Sequence, residues 1–157
     1  MNIDLPGEAW LPRDYIPDFR AKIDVYRRLS RATAEGQVDD LAAELSDRFG
    51  PLPDEAKRLL DFARLRVAAV TLGIDSITKH PDMIVIGHHD RPAIETLRQA
   101  AAARGTTLRI ADQRTAVMPL DPAVSGVPEA VFQAVRTLLR PLRGRPYSPR
   151  PPSAPRS

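Results

Sequence analysis

The side chains capable of chemistry in this 157-residue chain include 20 carboxylates, 3 histidines and 18 hydroxyls from Ser, Thr and Tyr, with no cysteine at all. Their spacing excludes most catalytic designs. His88 and His89 are neighbours on a β-prone run, so their rings project to opposite faces and cannot readily close on one metal ion. With His80 they read as residues at hairpin ends, and no metal is expected. The absence of cysteine removes disulfides, zinc fingers, iron–sulfur ligation and thiol nucleophiles. The glycines never stand two apart, and none precedes Lys-Ser or Lys-Thr, so the sequence contains neither a dinucleotide-binding turn nor a phosphate loop. No serine occupies G-x-S-x-G. The expectation is a protein without catalytic residues and without a cofactor.

One polar constellation remains. Asp40, Glu44 and Asp47 fall at i, i+4 and i+7 of a helical pattern. Taking the apolar stripe through Leu45 as the inner face, 100° per residue sets these carboxylates about 90 to 180° away, on an acidic ridge. Two readings are open. A charged row of this kind is the ordinary solvated face of a helix. It is also a docking surface, because carboxylates held on a rigid helix can receive bidentate arginines from a partner.

Charge divides unevenly along the chain. Of 23 basic residues, five arginines lie in residues 140–157, which hold no acid, so residues 1–139 carry 18 bases against 20 acids. Residues 143–157 form an Arg/Pro-rich tail without hydrophobic periodicity, expected to be disordered, extended and solvated. Its arginines could meet nucleic-acid phosphates, which makes a free-standing nucleic-acid-binding module the alternative function. Arginine outnumbers lysine 20 to 3 throughout, so arginine excess alone does not signal phosphate binding. No apolar run approaches the ~18 residues of a membrane span, and the N-terminus lacks the basic and apolar regions of a signal peptide. The expected location is the cytoplasm.

The elements that must position the ridge can be read from periodicity. Pro6, Pro12 and Pro17 make residues 1–17 an extended arm, and Asp18 is placed to cap a first helix. That helix, Phe19 to about Ala34, is expected to bury Phe19, Ile23, Tyr26 and Leu29, with Glu35 and Gly36 as an interruption. A second helix buries Val38, Leu41, Ala42, Leu45 and Phe49 and stops at Gly50-Pro51. Pro53 opens a third, long helix with Ala56, Leu59, Leu60, Ala63, Val67 and Val70 along its inner side. Beyond Gly73 the period changes to short strands, Ile74–Lys79 and Met83–His88, then a helix capped by Asp90, a second hairpin within 107–118, and a last helix from Pro128. The fold class is α+β: three N-terminal helices followed by a ββαββα unit with an antiparallel sheet, in one domain over residues 18–142.

The runs IDLPGEAWLPRDYIPD (3–18), KIDVYRRL (22–29) and AELSDRFGPLPDEAKRLLDFARLR (43–66) closely resemble the C-terminal domain of bacterial transcription-repair coupling factors, the Mfd proteins. The likeness is strong over about residues 3–76. Arg48, Phe49, Gly50, Pro51 and Pro53 carry its most specific part, a structural motif that ends one helix and starts the next. Arg13 stands where the family usually has an acid, and Ser46 replaces an apolar residue. The resemblance implies a regulatory role in nucleotide excision repair. In the family this domain packs on a UvrB-like N-terminal module, hides the surface that recruits UvrA, and is released when the parent protein, an ATP-driven DNA translocase, engages stalled RNA polymerase. Matching E-x-x-D-R-F-G puts the implied masking contacts at Glu44 and Asp47.

Overall fold

The structure is a computed structural model that describes residues 1–7 and 9–140. The Arg/Pro-rich tail expected over 143–157 lies outside the described residues. The elements are β1 (Asn2–Asp4), α1 (Phe19–Arg31), α2 (Glu35–Phe49), α3 (Asp54–Thr71), β2 (Ile74–His80), β3 (Met83–His88), α4 (Arg91–Ala103), β4 (Arg109–Ile110), β5 (Thr115–Pro119), α5 (Pro122–Ser125) and α6 (Pro128–Leu139).

The 18 residues of α3 extend about 27 Å and serve two apolar cores in succession. Its first half turns Ala56, Leu60 and Ala63 toward Val25 and Leu29 of α1, Leu41 and Leu45 of α2, and Leu11 and Ile16 of the arm. Its second half turns Leu65 and Ala69, with Leu72 at its C-cap, toward the sheet residues Ile77, Ile84 and Ile86 and toward Phe132 of α6. The helical layer and the sheet layer thus share one spine. Arg104 ties the far side, donating to the carbonyls of Thr137 and Arg140, both at 2.6 Å, where the end of α6 leaves oxygens without helical partners.

The sheet order is β1-β2-β3-β5-β4. The α+β class holds, but the sheet is mixed rather than wholly antiparallel. β2–β3, β3–β5 and β4–β5 pair antiparallel, whereas β1 runs parallel to β2 with Ile3 opposite Ile77. The expected extended arm therefore starts with an edge strand. Three residues with one apolar side chain carry no period, and their partner lies some seventy positions away. The short α5, with Asp121 accepting from the Ala123 N–H at 2.8 Å, was likewise below the length at which a helical stripe is visible.

The expected inner face of α1 is corrected. Val25 and Leu29 are buried, while Phe19 is 72% exposed and Ile23 and Tyr26 are each 39% exposed. Phe19, Ile23 and Tyr26 share a helical period with each other but lie about 100° round the axis from the Val25 side. Glu35 and Gly36 do not interrupt a helix but begin α2. The break falls at Ala32–Ala34, where the Gln37 carboxamide oxygen accepts from the N–H groups of Thr33 (2.7 Å) and Ala34 (3.2 Å). Pro53 stands at the cap of α3, one place before the first helical residue, and Val70 is exposed. Asp18 and Asp90 cap α1 and α4 as expected, accepting from Arg20 N–H at 3.0 Å and Ala93 N–H at 3.1 Å. Among the described residues, no helix is long and apolar enough to cross a membrane.

Gly73 joins α3 to β2 at φ +70°, and a Cβ there would stand 2.4 Å from the Asp90 Cβ, against the start of α4. Gly105 has a similar φ of +81° with open space around it. Both would strain an L side chain, but only Gly73 would also collide. Gly73→Ala should therefore cost about 2–4 kcal/mol and Gly105→Ala only about 1–2 kcal/mol, read by urea unfolding. Equal costs would show that the approach to Asp90 does not constrain the turn.

His88 closes β3 with its ring buried, and neither ring nitrogen has a hydrogen-bond partner. His89 faces the other way, with Nδ1 2.7 Å from an Asp75 carboxylate oxygen. Burial lowers the His88 pKa, assisted by His89 and Arg91 and opposed by Asp112 and Asp75. The unfolded chain then takes a proton near pH 6.5 that the folded chain refuses, so stability is full above that pH and falls below it. Unfolding free energy should drop between pH 7 and 5.5 by up to ~1.4 kcal/mol per unit more in the native chain than in His88→Leu. Parallel pH profiles for the two proteins would contradict this.

Candidate docking surface

The acidic ridge rides on a helix fixed along its length and at both ends. Val38, Leu41 and Leu45 are almost fully buried and set the rotation of α2 about its axis. The Gln37 side chain holds the N-terminal turn. At the other end Gly50 adopts φ +89° and ψ −172°, a region that only glycine enters without strain, and its N–H donates to the Ser46 carbonyl at 3.0 Å. Tyr15 clips the arm to this bend. Its hydroxyl lies 2.9 Å from the Gly50 carbonyl and 3.1 Å from the Leu45 carbonyl, sharing one proton between them. Its ring tilts against Phe49 at 5.8 Å, and the Arg48 guanidinium covers the same Phe49 ring at 5.0 Å. Burial pushes the Tyr15 hydroxyl above its ordinary pKa, so it remains a donor through the physiological range.

The three ridge carboxylates meet different surroundings. Asp40 and Asp47 are exposed, and among the described residues neither takes part in an ion pair. Glu44 is partly covered and accepts from Arg28 of α1 at 2.5 Å, with Asp24 3.9 Å from the same guanidinium. Asp39, next to Asp40 in the chain, is held by Arg64 of α3 at 2.9 Å. Asp40 also borders a shallow cleft of about 310 Å³ between α1 and α2, shared with Arg28, Arg31 and Gln37. Among the described residues the ridge thus has an unpaired carboxylate at each end and one paired with Arg28 between them. Arg28 was not legible as part of the site, because it lies sixteen residues from Glu44 and on another helix.

Asp47 sits in the last turn of α2, beside the negative end of the helix dipole. An anion there is unfavourable by about 0.3–1 kcal/mol relative to a cation, and among the described residues Asp47 makes no ion pair, the cation of the same turn, Arg48, lying over the Phe49 ring. A carboxylate held where its own helix disfavours it is available to an external cation. Arg48, Phe49, Gly50, Pro51 and Pro53 build the bend that holds it. Among the described residues, no cluster of three His, Asp or Glu side chains converges as a metal site would require.

The sequence model of the TRCF domain matches residues 5–98. The chain is 44% identical over 73 residues to the transcription-repair-coupling factor of Escherichia coli, covering 46% of this chain and 6% of that protein. It is 44% identical over 78 residues to the one of Mycobacterium tuberculosis, covering 50% of this chain and 6% of that protein. With the one of Staphylococcus aureus it shares 33% over 122 residues, 74% of this chain and 10% of that protein. The chain therefore spans a tenth or less of the length of these curated relatives. Among solved structures, the crystal structure of the C-terminal domain of transcription-repair coupling factor superposes with a TM-score of 0.67 at 18% identity, over 87% of this chain and 91% of that one. Its likeness covers the helical layer and the sheet layer together. With a domain match across more than half of its residues and a shared fold, this chain belongs to the TRCF domain family.

Proposed function

We propose that the chain is a non-catalytic regulatory domain that docks, through the α2 ridge, on the UvrB-like module of a transcription-repair coupling factor. In that position it covers the surface that recruits UvrA and holds transcription-coupled excision repair in check. RNA polymerase and DNA enter only through the larger parent protein. The observation that carries this reading is Asp47, exposed and, among the described residues, without an ion-pair partner, at the unfavourable end of a helix that is held at both termini. Family membership supplies the context, and the rigid bend supplies the preorganisation that lets a charged contact add affinity without ordering cost.

Glu44 plays a second role in this reading. Its bond to Arg28 keeps one carboxylate oriented, and a partner guanidinium arriving at the ridge shares it or displaces Arg28. Asp47 is then the group that contributes a new, desolvated pair on docking, and Asp40 extends the negative field at the rim.

Binding of this chain to an isolated UvrB-like module separates these contributions. Asp47→Lys should lose about 2–5 kcal/mol of docking free energy, some thirtyfold or more in affinity, because a partner arginine is left buried and unpaired. The same substitution should leave the chain's own stability unchanged or raise it by a few tenths of a kcal/mol, since it places a cation at the helix C-terminus. Undiminished affinity for the double variant Glu44→Lys with Asp47→Lys would overturn the assignment of the ridge.

A further inference from the structure

A second cleft lies at the α2–α3 bend. Trp10 and Pro12 of the arm and Pro51 and Pro53 of the bend line an open cleft of about 400 Å³. The Asp14 and Glu55 side chains line the same cleft. It is a built feature, because the Trp10 backbone N–H donates to the Glu55 carbonyl at 3.3 Å and the adjoining Tyr15 hydroxyl pins the arm to Gly50. Trp10 is 47% exposed, a large ring left half in water. Among the described residues neither Asp14 nor Glu55 makes an ion pair. Ridged aromatic and proline surfaces flanked by acids suit one ligand chemistry in particular. Proline-rich segments seat their rings against aromatic walls, and adjacent arginines meet the carboxylates.

Such a segment exists in the same chain. Residues 141–157 contain six prolines, four arginines and no acid, and include the run Ser148-Pro149-Arg150-Pro151-Pro152. We propose that this C-terminal segment docks in the Trp10 cleft of its own molecule, prolines against Trp10 and Pro53, arginines against Asp14 and Glu55.

The distances permit it. α6 lies alongside α3, with Arg58 paired to Glu129 and Asp61 3.8 Å from Arg136, so Arg140 comes to rest in a cleft shared with Arg64 and Ala68. From Ala68 back to Glu55 is about 20 Å along the α3 axis. Seventeen residues in proline-rich geometry reach about 50 Å. That reach is more than twice the axial separation, which is sufficient for the proline-rich part of the segment to meet the cleft. The short tether supplies an effective concentration in the millimolar range, enough to populate contacts that would be weak between separate molecules. Arg13, on the same arm, is the basic group that opposes the contact and does not line the cleft.

Trp10 is the single tryptophan of the chain, so its fluorescence reports on this cleft alone. The experiment measures acrylamide quenching of Trp10 in the full chain, then in full chains carrying Arg150→Glu with Pro151→Ala and Pro152→Ala, and in one carrying Asp14→Lys with Glu55→Lys. With the segment docked, each set of substitutions should raise the quenching constant about twofold or more, given a millimolar effective concentration. About 0.5 M salt should raise it in the native chain as well, because the pairs are at the surface. Circular dichroism melts confirm that each variant is folded, and Glu44→Lys with Asp47→Lys should leave Trp10 quenching as in the native chain. The proposal is overturned if quenching is the same with and without the tail substitutions. It is equally overturned if shielding disappears on dilution, which would make the occupant a second molecule.

Discussion

The structure depends on one constraint: α3 must be buried on two different faces along a single axis. Leu60 and its neighbours complete a core of helices and arm, and Leu65, Ala69 and Leu72 complete a core of sheet and helices. Each fully buried leucine contributes about 1.5–3 kcal/mol of transfer free energy, so neither layer can be withdrawn from α3 cheaply. The helical layer alone would lack a floor, and the sheet would expose the face that packs under α3. Gly73 allows the chain to leave this spine and enter β2 directly against the start of α4, which fixes the two layers' relative position.

That rigidity is what gives meaning to the surface. α2 packs on the first half of α3, and the Tyr15 clip with the Gly50 bend prevents its last turn from fraying. Side chains at Asp40, Glu44 and Asp47 therefore project from a frame whose position is settled before any partner arrives. Exposed ion pairs contribute little to stability, so Arg28 with Glu44 is better understood as orienting a carboxylate than as holding the fold. Asp47, with no such tie among the described residues, contributes nothing to the fold that its helix would not gain from a cation.

Much of this was legible in the sequence, for local reasons. Phe49-Gly50-Pro51 ends a helix by backbone chemistry that needs no tertiary context, and Asp18 and Asp90 cap their helices as short polar side chains do. The period of α1 was legible but its orientation was not. The helix carries two apolar stripes, Phe19-Ile23-Tyr26 and Val25-Leu29, and periodicity alone does not say which one the core will take. β1 was invisible because its pairing with β2 is long-range, and α5 because one turn is too short to display a stripe. At the site, the helical spacing of the three acids was readable, whereas Arg28 and Tyr15 join them only through the fold.

On the proposed reading Asp47 pairs with a cation of the UvrB-like module, and complementary charge reversal probes that pair. Asp47→Arg in this chain should weaken docking, and each surface arginine of the module, changed in turn to Asp, should weaken it similarly if it is the partner. One such pair of reversals combined should then restore at least part of the affinity, because the contact is remade with its signs exchanged. If every combination is simply additive, with no recovery for any arginine, the ridge does not form the contact assigned to it.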